Sequence, residues 1–227
     1  MPDANDLLDR IAAVAATHDF DPERDLAVYT RSKQDPDRPV LFAGNLAAPL
    51  CCFARDLGKD EVKHAQPLIG AAGRRVRSAL HELLHPDDPA DAPPEYPLSM
   101  RQVLLTNTVP YKPVGNKEFS RKTKEVFRPF VAELLVVHWK GEALMPMGTG
   151  ALEWFRPYGA AAVDGLAKAP AEERFAAQAE VEVVAQVGTK LRHKRITLMP
   201  LPHPSPLSSY TPRFPEWLAL RLKQVYG

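Results

Sequence analysis

Cysteine is almost missing from this sequence: its 227 residues include two, Cys51 and Cys52, and they are adjacent. A disulfide between neighbours is strained, and the spaced sets that bind zinc or iron–sulfur clusters cannot be assembled from them. No metal and no cofactor are expected. Long apolar runs are missing as well, none approaching the roughly 18 residues of a membrane span. The opening residues, MPDANDLLDR, are acidic where a signal peptide is basic. A cytoplasmic protein with no membrane partner is therefore expected. An excess of charge of either sign is also lacking, since 29 basic against 28 acidic residues leave +1. Binding to a polyanion must come from local clusters, of which Arg74-Arg75-Arg77, Arg121-Lys122-Lys124 and Arg192-His193-Lys194-Arg195 are three. Taken singly, each reads as a solvated face. A phosphate-binding glycine loop is missing too, because Gly148-Thr149-Gly150 is too short for one.

What is present is an ordinary globular composition, 45% apolar and 25% charged. The length suits one domain over residues 1–227, and a monomer is expected. Leu7, Leu8, Ile11, Val14 and Ala15 recur at helical spacing, which predicts a helix over residues 5–18. Helices are also predicted over 69–84, 120–138 and 149–155. The runs RPVLFAG at 38–44, VLLTN at 103–107, EALMPMG at 142–148 and RITLMP at 195–200 read as strands, the first two as buried parallel strands. Residues 50–66 read as a loop over the pocket. Strands alternating with helices predict an α/β fold, a three-layer α/β/α sandwich around a central, mainly parallel four-stranded sheet.

In such folds ligands bind at the carboxyl ends of the strands. Four strand ends stand out: GNLAAPLCCF at 44–53, TNTVPYKP at 106–113, MGTGA at 147–151 and LPHPSPLSSY at 201–210. Each alone is what any turn uses. Their joint occurrence, in this order, points to a site.

His203-Pro204-Ser205-Pro206-Leu207-Ser208 resembles the HPSPLS signature of uracil-DNA glycosylases, and Leu104-Leu105-Thr106-Asn107 resembles the strand that carries their uracil-reading asparagine. Residues 66–73, QPLIGAAG, resemble the PFVGxAG stretch of the branch that carries an iron–sulfur cluster, and Thr106 to Pro113 resembles its TNxVKxxP. That branch's cluster cysteines are absent here. Tyr111 to Phe119 also lacks the histidine-bearing insertion with which another branch traps DNA covalently.

The resemblance implies a monofunctional glycosylase that cuts the bond between flipped-out uracil and deoxyribose in single- or double-stranded DNA. Asn107 would read uracil O4 and N3–H with its amide, and His203 would donate a hydrogen bond to the uracil anion. Leu207 would wedge into the base stack, Ser205 and Ser208 would hold phosphates, and Arg55, Lys59, Lys63 and His64 of the 50–66 segment would face DNA. The water-positioning group is either Asn45 or Asp56, with Asn45 preferred, because no carboxylate follows Gly44 closely. The base would stack on Phe53 or Leu68, with Phe53 preferred, and Gly44 and Leu46 would complete the pocket. A glycosylase for another deaminated or mismatched base, or a DNA-binding relative with weak catalysis, is the alternative.

Overall fold

A computed structural model describes residues 4–20, 22–93, 95–115, 117–205 and 208–227. Its centre is one sheet of six strands in the order β1-β3-β2-β4-β6-β5. The strands are β1 (Phe42–Gly44), β2 (Leu50–Ala54), β3 (Val103–Asn107), β4 (Ala143–Pro146), β5 (Ala179–Val187) and β6 (Lys190–Leu198). β3, β2, β4 and β6 run parallel and form the expected four-stranded core. β1 and β5 pair antiparallel at the two edges, so the sheet is larger and more mixed than the sequence suggests.

Helices cover both faces. α1 (Ala4–Thr17), α2 (Leu26–Ser32), α5 (Arg121–Glu133), α6 (Thr149–Glu153) and α7 (Ala160–Lys168) meet one face through Cys51, Phe53, Leu104 and Leu144. α4 (Ala71–Leu84) and α9 (Phe214–Tyr226) meet the other through Leu50, Cys52, Leu105 and Met145. The short α3 (Lys59–His64) and α8 (Ala171–Arg174) lie within connections. Successive side chains of a strand point to opposite faces, and here both faces are dry. That is why β2 and β3 are buried at every position and read as unbroken apolar runs.

Three expectations change. Residues 38–44 are not a parallel strand, because β1 opposes β3 with Gly44 beside Leu104. Residues 50–66 are not a loop, because they hold the central strand β2 and α3. The helix over 120–138 is α-helical through Glu133, then widens into a π-helical turn at Leu134–His138. Of the expected strand at 195–200, residues 195–198 are the last of β6, whose hairpin with β5 turns at Gly188 (φ 58).

One cluster read as a solvated face is partly core, since Arg77 is fully buried. Its guanidinium donates to the carbonyls of Leu68 (2.7 Å), Glu95 (2.8 Å) and Pro67 (3.1 Å) and to Gln66 Oε1 (3.2 Å). Burial lowers its pKa to about 10, so it stays protonated at neutral pH. Replacing it leaves several carbonyls unpaired in a dry place. Arg77→Met should lose about 3 kcal/mol of unfolding free energy in urea titrations. A midpoint equal to the parent's would show that the guanidinium supports nothing.

Candidate active site

The carboxyl ends of β2, β3 and β6 open on one cavity of about 720 Å³. Residues 54–61 line it after β2, Asn107 and Lys112 after β3, and His203, Pro204 and Ser205 after β6. Leu68, Gly70, Ala71 and Ala72 form a further wall. The chain order of the parallel strands reverses at β2, and such a switch point opens a crevice.

Asn107 ends β3 opposite Ala54 and is 2% exposed. Its Oδ1 accepts no hydrogen bond from the described residues. A buried acceptor left this way carries a desolvation cost that a ligand donor would relieve.

Asp56 follows two residues after β2, with its side chain 4% exposed and Oδ2 2.9 Å from Arg55 Nε. The approach is an ion pair rather than an aligned hydrogen bond, and neither carboxylate oxygen has a hydrogen-bond partner among the described residues. Desolvation pushes this carboxyl up to about 6, while the positive charges of Arg55 and Lys124 pull it down.

His203 Nδ1 accepts from the Ser205 backbone N–H at 3.2 Å. The neutral ring therefore carries its proton on Nε2, which settles the tautomer. Desolvation, then the charge of Arg55, lowers the imidazole pKa below its ordinary value. At neutral pH the ring is an uncharged donor.

Two buried charges shape the walls. Lys112 Nζ donates to the carbonyls of Pro113 and Gly115, holding the loop after β3, and burial lowers its pKa. Glu61, on α3, accepts from the N–H groups of Gly58 (2.9 Å), Ile69 (3.2 Å) and Gly70 (2.7 Å). It thereby ties the segment after β2 to the one before α4. The sequence gives no sign of either role, because charged residues in loops ordinarily read as solvated.

Of the residues chosen from sequence, Asp56, Asn107, His203 and Ser205 share this cavity. Asn45 does not. It follows β1, whose antiparallel course carries Gly44, Asn45 and Leu46 to the amino end of β3. The Asn45 N–H donates to Val103 O, four residues and about 13 Å along the strand from Asn107. Its side chain closes a turn, accepting from Ala47 N–H at 2.9 Å and donating to Arg101 O at 2.8 Å. Phe53 is likewise displaced: it points away from the cavity, with ring centroids 5.1 Å from Trp154 and 5.0 Å from Phe155. Leu68 takes the wall instead, in the left-handed conformation (φ 51). Lys63 and His64 are exposed on the last turn of α3, outside the cavity lining. Ser208 lines a neighbouring cavity of about 170 Å³ with Phe175 and Tyr210. Leu207 lies outside the described residues.

The family model described as "Uracil DNA glycosylase superfamily" matches residues 42–224, most of the chain. No curated protein matches it.

Because Glu61 holds three backbone donors, Glu61→Gln sets an amide NH2 against at least one of them. The substitution should cost about 2 kcal/mol of stability. Amide exchange should speed up at Gly58, Ile69 and Gly70 while β2 and β3 stay protected. Uniform acceleration across the sheet would instead place Glu61 in the global core.

Proposed function

The chain belongs to the uracil DNA glycosylase superfamily, and from that premise we propose that it excises uracil from DNA as a monofunctional enzyme, leaving an abasic site. Superfamily membership supports a DNA glycosylase. The choice of uracil rests on one observation, the unpaired buried Oδ1 of Asn107 on a cavity shared with Asp56 and His203.

Uracil offers N3–H to Oδ1 and O4 to the Nδ2 donors, satisfying both ends of the amide. Cytosine presents N3 as an acceptor and N4 as a donor, opposing both. A site built on such pairing rejects the mismatched base by roughly ten-thousand-fold. Flipping brings the base to this cavity, and Leu68 supplies an apolar wall beside it.

Cleavage of the glycosidic bond leaves negative charge on uracil O2, where the His203 Nε2–H serves as a donor of fixed tautomer. Protonating Nδ1 would set it against the Ser205 N–H, so the neutral ring is the working form. Asp56 accepts a proton from the water that adds to the sugar cation. A carboxylate lining the cavity supports an active enzyme over a catalytically weak relative. Ser205 and Ser208 contact backbone phosphates, and uracil-containing DNA is the partner of a monomeric enzyme.

Single-turnover release of uracil from a labelled oligonucleotide tests this. His203→Ala should lose roughly a hundred-fold or more, the scale of a lost oxyanion donor. Asn107→Ala should lose at least as much, and Asp56→Asn somewhat less, because water attacks a cation already formed. Asn45→Ala should excise at the parent's rate. Release of hypoxanthine or mispaired thymine in preference to uracil would overturn the uracil assignment while leaving glycosylase chemistry in place.

The rate should also follow the ionisation of Asp56. Below about pH 6 the carboxyl is protonated and cannot take the proton of water, so activity should rise with pH through that value and level off above it. A profile flat from pH 5 to 8 would remove Asp56 from the mechanism.

A further inference from the structure

The motif MGTGA, too short to hold a phosphate, makes room for two site side chains. Gly148, at φ +88, lies against His203, so that a Cβ there would meet the histidine Cβ at 3.1 Å. At Gly150 a Cβ would stand 2.3 Å from Glu118 Oε1 and 3.0 Å from Arg55 Cδ. Space is thus kept for Arg55 as it is for the imidazole.

Arg55 is also held from several sides. Its Nε lies 2.9 Å from Asp56 Oδ2, and its Nη1 lies 3.4 Å from Glu118 Oε1. Lys124 Nζ, on α5, holds the other oxygen of Glu118 at 3.0 Å. The Arg55 carbonyl accepts from the Thr108 N–H at 2.9 Å, joining the end of β2 to the end of β3. Arg55 lines the same cavity as Asp56 and His203.

We propose that Arg55 is a positioning residue of the glycosylase reaction, which fixes the Asp56 carboxylate in its charged form and keeps His203 uncharged through one guanidinium. The inference rests on the roles proposed above for those two residues. A positive charge beside a carboxylate favours its ionised form, and the same charge beside an imidazole opposes protonation. Both effects act in one direction, extending the working range toward lower pH. The other charges acting on Asp56 are Lys124 and Glu118, which pair with one another, and Lys112, whose ammonium is held by two backbone carbonyls and faces Asp25; Lys59, Asp60 and Lys117 line the same cavity. Glu61 also faces Lys112, with its carboxylate committed to three backbone amides. Arg55 and His203 lie against the two glycines of one turn, Gly150 and Gly148, and line one cavity with Asp56, so that of these charges it is Arg55 that also opposes a proton on His203.

The test is a single-turnover pH–rate profile for the parent, Arg55→Gln and Arg55→Lys, alongside NMR titration of the His203 ring in each protein. For Arg55→Gln the acid limb should move up by about one pH unit, near a ten-fold loss of rate on that limb. His203 should titrate at higher pH, and Arg55→Lys should restore much of both shifts. An acid limb and a histidine titration in register with the parent's, with any defect confined to KM, would overturn the proposal in favour of plain DNA contact. If the parent releases no uracil, the function assigned above fails, while the His203 titration still decides whether Arg55 sets its charge.

Discussion

Five backbone groups before α4 find their partners in two buried side chains of opposite charge. Glu61 takes the N–H groups of Ile69 and Gly70, and Arg77 takes the carbonyls of Pro67 and Leu68. A fifth bond, from Gly58 N–H to Glu61, ties in the segment that follows β2. These residues belong to no helix or strand, so buried polar groups here have no ladder to join and must be satisfied by side chains. Charged partners make such bonds stronger than neutral ones. The result is a wall stiff enough to hold Leu68 in a left-handed conformation beside Asn107 and Asp56.

From that rigidity follows the electrostatic character of the site. Asp56 lies where water is largely excluded, so its neighbours act through a poor dielectric and single charges matter. Arg55 and Lys124 favour its ionised form against desolvation, and Arg55 opposes a proton on His203. The loop carrying His203 adds a covalent constraint, because Pro202 and Pro204 flank it and the Ser205 N–H fixes one ring nitrogen. Such constraints fix His203, Asn107 and Asp56 on one cavity, and the reaction proposed above benefits from groups held this way, because a preorganised site avoids reorganisation during reaction.

The strands that form the parallel core were legible where a run was apolar and ended in a turn, as at Val103–Asn107 and Ala143–Pro146. The central strand β2 was not, because the apolar run continuing from residue 38 drew the strand assignment to Phe42–Gly44. The strand whose carboxyl end lines the cavity is β2, so Asp56 and Leu68 face that cavity while Asn45 lies at the far end of β3 and Phe53 packs into the core. Asn107, the last residue of β3, and His203, between Pro202 and Pro204, sit at features that the sequence marks locally, and both line the cavity.

The layered α/β architecture, the asparagine at the end of β3 and the histidine loop after β6 are legible along the chain, because hydrophobic period and proline placement are local properties. Which side chains meet was decided only in three dimensions. Strand direction carried Asn45 to the far end of the sheet, pleat parity turned Phe53 into the core, and chain crossing brought Asp56 to Asn107 and His203. The burial of Glu61 and Arg77 belongs to the same class, because a charged residue enters the interior only where backbone groups far along the chain converge to satisfy it.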